Sequence, residues 1–300
     1  MRDEVTVAAP AKINLSLGVG AVRPDGFHPL ATVYQAIGIH DEITVRRAEH
    51  DSCTVVGEGV DVADVPTDGS NLALRAVRRL AARHGIDDGV QLSILKRIPV
   101  AGGMAGGSTD AAGALVACDA LWGTNTPREE LMAVAAELGS DVPFCLVGGT
   151  AVGTGRGELV VPVMSRGTYW WVIAPASGGL STAEVYGEFD RMHAAEPPTD
   201  PEIPDELMAA LRNGDPELLG KALANDLQPA ALRLRPELEE LLAYGLQGSA
   251  HGALVSGSGP TCLFLAENQA HATQVREWLG GSVPGLLLAP GPVPGAHVIR

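Results

Sequence analysis

The chain is short of aromatic residues, of basic charge and of cysteine. Phe, Tyr and Trp occur four times each in 300 residues, so the core must be built from Val, Leu, Ile and Ala. Lys and Arg total 21 against 36 Asp and Glu, a net charge of −15. Binding to nucleic acid or to an anionic membrane needs clustered cations, so neither partner is expected. A small anionic ligand stays possible, because it needs only local donors. The four cysteines, Cys53, Cys118, Cys145 and Cys262, are far apart and form no C-x-x-C, which argues against a zinc site or a disulfide framework and fits a reducing cytoplasm. No run of about 18 apolar residues is present, so no membrane span is expected. The first residues lack a basic segment followed by a long apolar core, so no signal peptide is expected.

Glycine, by contrast, is concentrated. Pro99-Val100-Ala101-Gly102-Gly103-Met104-Ala105-Gly106-Gly107-Ser108-Thr109 follows a strand-like run, Val90 to Lys96, and leads directly into a helix-like segment from Ser108 to Leu121. Glycine lets the backbone take positive φ and approach a phosphate closely, and a helix start offers unpaired N–H groups and a positive dipole. Nucleotide phosphate binding is therefore the first hypothesis; close packing of a helix on a strand is the alternative. No lysine precedes Ser108 and no G-x-G-x-x-G occurs here, so the loop is neither a P-loop nor a dinucleotide fingerprint.

A hydrophobic content of 46% is ample for a core, and the length allows two ordinary domains. Val5 to Val19 reads as extended, with further strands at Thr44-Val45 and Cys53 to Val56. Asn71 to His84 is an amphipathic helix stopped by Gly85. Thr126-Pro127-Arg128-Glu129 and Ser181-Thr182-Ala183-Glu184 read as capping boxes. Tyr169 to Ala174 starts a second half in which strand Gly252–Ser256, strand Thr261–Leu265 and helix Asn268–Leu279 follow in order. That order predicts an antiparallel sheet with helices on one face, an α+β arrangement. The expected domains are 1–165 and 166–300.

Four constellations carry candidate chemistry. In Pro10-Ala11-Lys12-Ile13-Asn14-Leu15-Ser16-Leu17, period two puts Lys12, Asn14 and Ser16 on one face and Ile13, Leu15 and Leu17 on the other. The polar face is either functional or the solvated side of an edge strand. Arg23-Pro24-Asp25-Gly26 is turn chemistry, and Phe27 with His28 beyond it suits a flat heterocycle or a packed loop anchor. Asp141 follows the helix stop Gly139 and precedes an apolar, strand-like run from Phe144 to Val147; its carboxylate either caps backbone N–H groups or faces a cleft. Ser256-Gly257-Ser258-Gly259-Pro260 is a second glycine turn, either a plain hairpin or a second backbone edge along a substrate.

Together and in order, Pro10–Leu15, the Pro99–Thr109 loop and Ser256–Pro260 resemble the three motifs of the GHMP kinases, which include galactokinase, homoserine kinase and mevalonate kinase. Asp25-Gly26-Phe27-His28 and Ser140-Asp141-Val142-Pro143 are similar to the branch acting on a cytidine diphosphate-linked polyol. The resemblance implies an N-terminal domain like domain 2 of ribosomal protein S5 and a ferredoxin-like C-terminal domain. It implies ATP, with Mg²⁺, held on residues 99–109, and Ser108 as a metal ligand. Lys12 and Asp141 would be the catalytic pair. Asn14, Phe27, His28, Thr182 and Tyr186 would contact the acceptor, and Asn71 would lie near the adenine. The branch most often has Tyr where this chain has Phe27, so a ring can stack but a hydroxyl bond is lost. The expected partners are these two small molecules, on a monomer or weak homodimer. Two rivals stay open. One is a superfamily kinase of a small alcohol without a nucleotide moiety, against which Asp25–His28 argues. The other is a non-catalytic nucleotide sensor, which the loss of Lys12 or Asp141 would favour; both are present.

Overall fold

A computed structural model describes residues 3–100, 102–176, 178–281 and 283–300, so Ala101 of the glycine loop lies outside the described residues. The first half runs β1 (Glu4–Val19), β2 (Leu30–Ala48), β3 (Ser52–Gly57), α1 (Leu72–His84), β4 (Gly89–Lys96), α2 (Gly106–Trp122), α3 (Arg128–Leu138), α4 (Val142–Val147), β5 (Thr150–Thr154) and β6 (Leu159–Pro162). The second runs β7 (Tyr169–Ala174), α5 (Thr182–Met192), α6 (Asp205–Asn213), α7 (Pro216–Ala222), β8 (Ala224–Asn225), α8 (Gln228–Leu234), α9 (Glu237–Gln247), β9 (Gly252–Val255), β10 (Cys262–Ala266), α10 (Gln269–Gly280), β11 (Leu287–Gly291) and β12 (His297–Val298).

Two sheets result. One has the order β12-β1-β2-β4-β3, with β5 continuing from β2 into β6 and β8 lying beside β1. The other is β11-β7-β10-β9, antiparallel throughout. β1 is therefore interior, and the polar face of residues 12–16 is not solvated: Lys12, Asn14 and Ser16 are all buried. The strand also serves two cores. Val5, Val7 and Ala9 pack with α1 and α2. Past a register shift at Pro10/Ala11, where proline offers no ladder donor, Ala11, Ile13 and Leu15 pack instead with Trp171, Ile173, Leu263 and Leu265 of the second sheet.

Several expectations need correction. Helices cover both faces of the second sheet: Leu238, Leu242, Val275 and Leu279 pack on Val172 and Phe264, while Leu207, Leu211 and Leu219 pack on the Trp171 face. Neither capping box forms. Thr126 Oγ1 lies 2.9 Å from His84 Nε2 instead, and Ser181 stands at the N-cap of α5 without a capping bond from its side chain, while Thr182 Oγ1 lies 3.0 Å from Ser258 Oγ. Residues 142–147 are a short helix, not a strand, with Pro143 in its first turn, where the missing N–H costs nothing.

Candidate active site

A cleft of about 1120 Å³ is lined from both halves of the chain. At its centre β1 presents Lys12, whose ammonium donates to Asn14 Oδ1 at 3.0 Å and lies 3.3 Å from Asp141 Oδ2. Asn14 Nδ2 in turn donates to Thr32 Oγ1 at 2.8 Å, and Thr32 donates to the Ser16 carbonyl at 2.6 Å. The Asn14 amide and the Thr32 hydroxyl in this buried chain each bond two partners, which fixes their orientation. Asp141 precedes α4 but makes no capping bond with its side chain. Its carboxylate is left for Lys12 and the cleft. The Tyr34 ring lies 5.4 Å from Lys12 Nζ. Burial, and then the charge and hydrogen bonding of Asp141, hold the Tyr34 phenol well above its ordinary range, so it stays neutral.

One side of the cleft is the glycine loop. Pro99, Val100 and Gly102 through Ser108 line it. Gly103 has φ +72° and Ala105, just before α2, has φ +58°. The first bond inside α2 is Thr109 N–H to the Ala105 carbonyl at 2.8 Å. The N–H groups of Gly106, Gly107 and Ser108 thus belong to the open helix end, where an anion is favoured. The second glycine turn backs the first: Ser256 Oγ donates to the Gly103 carbonyl at 3.1 Å, and Gly257 and Ser258 reach the cleft. Thr109 is not a cleft residue. It is buried, with Oγ1 donating to the Pro10 carbonyl at 3.0 Å. Asn71 is also occupied: Oδ1 caps α1 by accepting from Ala73 and Leu74, and Nδ2 donates to the Pro66 carbonyl at 2.7 Å. Its neighbour Leu72, with Asp64, Val65 and Pro66, lines the cleft instead.

The other side holds the aromatic groups. Phe27 is 49% exposed. His28 is buried, with its ring 4.9 Å from that of Tyr186 and its Nε2 3.6 Å from Asp190 Oδ1. His28 Nδ1 lies 2.9 Å from the Gly20 carbonyl. A carbonyl only accepts, so Nδ1 carries a proton, and Nε2 is left facing Asp190 and the cleft. Burial, followed by the charge of Asp141, pushes the Tyr186 phenol up to about 12.

Sequence reasoning missed a second buried charge cluster and one surface cation. Lys96, the last residue of β4, pairs with Asp41 and with Asp110, the latter at 2.8 Å. Asp41 also accepts the N–H groups of Arg97 and Ile98. Burial pulls the Lys96 ammonium down, but the two carboxylates outweigh it and hold it above its ordinary value. Burial and then Asp41 push Asp110 up against the pull of Lys96. The available signal was an acid among the apolar residues of α2. Arg156, in the β5–β6 turn, places its guanidinium 4.7 Å from the Phe27 ring centre.

An open helix end beside a glycine turn, a buried Lys–Asp pair and a facing aromatic pocket define a phosphotransferase of the GHMP kinase class. The family described as GHMP kinases N terminal domain matches residues 71–149, and GHMP kinases C terminal matches residues 207–281. A homoserine kinase from Cytophaga hutchinsonii shares the fold at 21% identity, with a TM-score of 0.71 over 100% of this chain and 98% of that one. Within the class, the chain belongs to the 4-diphosphocytidyl-2-C-methyl-D-erythritol kinase family. A member from Nocardioides sp. is 54% identical over 97% of this chain and 98% of its own length. The crystal structure of a 4-(cytidine 5'-diphospho)-2C-methyl-D-erythritol kinase aligns at 31% identity, with a TM-score of 0.77 over 95% of this chain and 98% of that one.

Proposed function

We propose that this chain transfers the γ-phosphoryl group of ATP to the 2-hydroxyl of 4-diphosphocytidyl-2-C-methyl-D-erythritol. The observation that carries this reading is the position of the Lys12–Asp141 pair, 3.3 Å apart, in one cleft between the glycine loop and the Phe27–His28–Tyr186 pocket. The phosphates lie against the N–H groups that open α2. Asp141 orients the acceptor hydroxyl and takes its proton late, as suits a loose transition state that needs little base strength. Lys12 faces Asp141 and the transferring group, stabilising charge there. Asn14, oriented by Thr32, hydrogen-bonds the polyol. The exposed Phe27 ring stacks on the pyrimidine, and His28 hydrogen-bonds its polar edge. Thr182, held by Ser258, and Tyr186 complete that wall.

The residues at the start of α2 fit Mg²⁺. Such an ion keeps most of its waters and takes one or two protein oxygens beside the phosphates. Asp110 Oδ1 is buried without a partner, and the Ser108 hydroxyl lines the cleft beside it. When bound, the ion supplies charge neutralisation on the phosphates. The proposed domain boundary near residue 165 is supported by β1 to β6 all lying in the first sheet and β7 opening the second, with β8 and β12 returning to the first. No helix among the described residues is long and apolar enough to cross a membrane. The four thiols are unpaired, which supports a reducing cytoplasm as the compartment.

An ATP-consumption assay with the cytidyl substrate, homoserine and mevalonate side by side tests the reading. Turnover at least about 100-fold faster, in kcat/KM, with the cytidyl substrate is expected, because losing a stacked and hydrogen-bonded base removes several kcal/mol. Preference for either small alcohol would overturn it.

A further inference from the structure

Three cationic side chains line the cleft among the described residues: Lys12, Lys96 and Arg156. Two are already matched to carboxylates, Lys12 to the half-buried Asp141 and Lys96 to the buried Asp41 and Asp110. Arg156 differs. Its ion pair is with Glu158, a loose contact of 3.7 Å from Nε, and its charge also acts on the exposed Asp25. The guanidinium is a planar fork suited to phosphate oxygens. The side chain is 38% exposed, yet the Phe27 ring 4.7 Å away restricts its plane.

Its position follows from the β5–β6 turn. The Gly155 carbonyl accepts from Leu30 N–H at 2.8 Å, and the Gly157 carbonyl accepts from Tyr34 Oη at 3.4 Å. Tyr34 in turn lies beneath Lys12. One end of the turn is thus tied to the strand that carries the reacting pair's aromatic floor, and its side chain reaches the stacking ring. A molecule with its base on Phe27 and its hydroxyl at Asp141 must pass its connecting group between these two points. The cleft also lacks spare positive charge there, since Asp64, Asp110, Asp141 and Asp190 all line it.

We propose that Arg156 binds the diphosphate of the acceptor, so that the enzyme reads base, linker and polyol with three separate groups. The inference rests on the acceptor reading given above. It assigns to Arg156 a specificity role for the anionic linker and none in stacking.

Calorimetric titration of cytidine and of cytidine diphosphate tests this, with saturating adenylyl imidodiphosphate present to fill the ATP side. Wild type should bind the diphosphate roughly 10- to 100-fold more tightly than the nucleoside, the range of one or two charge-assisted hydrogen bonds. Arg156→Gln should bring the two affinities within about threefold while leaving cytidine binding unchanged, and Arg156→Lys should restore part of the difference, as a point charge without the fork. An Arg156→Gln protein that keeps the diphosphate preference overturns the proposal. So does one that loses both ligands equally, since Arg156 would then act through the Phe27 ring. Equal wild-type affinities also overturn it while leaving the cytidyl reading intact, whereas a wild type that binds neither ligand overturns that reading and this assignment together.

Discussion

At Lys12 a strand interior carries a charge where packing alone would place an aliphatic residue. It is 5% exposed, and a buried ammonium persists only when paired and hydrogen-bonded. Asp141 and Asn14 meet both conditions. If Asp141 is the group that orients the acceptor, Asp141→Asn keeps the shape and removes the proton acceptor. Its kcat should fall by at least about two decades, with the KM for ATP within about threefold of wild type, as steady-state kinetics would record. Lys96 is a structural counterpart. Lys96→Met strands Asp41 and Asp110, both buried, and should cost about 3 kcal/mol in urea unfolding; a loss below about 1 kcal/mol would mean the carboxylates find other partners. The first pair was legible in the sequence because Lys12 stands in an alternating strand and Asp141 follows a helix stop. The Lys96 cluster was not, since Asp41 and Lys96 are 55 positions apart and neither looks unusual alone. Arg156 was illegible for a similar reason: in the chain it sits in an ordinary glycine turn, and only folding brings it to Phe27.

At the scale of elements, the two glycine turns act as one unit. A Cβ on Gly103 would lie 2.2 Å from the Ser256 carbonyl oxygen, and one on Gly102 would lie 2.7 Å from Thr261 Oγ1. Gly103 also needs its positive φ. Gly103→Ala should therefore destabilise by at least about 2 kcal/mol through strain and overlap together, visible as a lowered Tm. It should also raise the KM for ATP, because the loop cannot keep its path against the second turn. The sequence marked both turns but not their contact, which joins positions 153 residues apart. Element types were read well where periodicity ran long, as in α1 and β1. They were misread at Phe144 to Val147, because so short an apolar run fits a buried strand or a helical turn equally. The first capping box failed for another reason: the Thr126 hydroxyl bonds His84, which only tertiary structure brings near.

At the scale of the molecule, the chain returns to where it began. Val7 and Ala8 of β1 pair with Val298 and His297, and Thr6 N–H donates to the Arg300 carbonyl at 3.0 Å. On the way back, Gly149 N–H donates to the Val293 carbonyl at 2.7 Å and Ala296 N–H to the Cys145 carbonyl at 2.9 Å. These bonds hold the C-terminal half of α4, the helix that Asp141 begins. Removing residues 293–300 should lower kcat at least about tenfold and broaden the unfolding transition, although none of these residues lines the cleft; full activity in the shortened chain would show that α4 holds its place without them. The sequence offered no sign of this return, because the segment is rich in Gly and Pro and its strand is two residues long.

That return also sets an order of events during synthesis. Helices α1 and α2 and strand β4 between them can collapse onto β1 to β3 as they leave the ribosome, since their partners are near in sequence. The outer edge of β1 cannot be covered, nor α4 fixed, until residues 293–300 have been made. A nascent chain stalled anywhere in the second half would hold the phosphate loop and both members of the reacting pair, yet leave a strand edge exposed for misassociation. Fixing of α4 thus waits on residues 293–300, and chaperone occupancy should persist on the first half until those residues have been made.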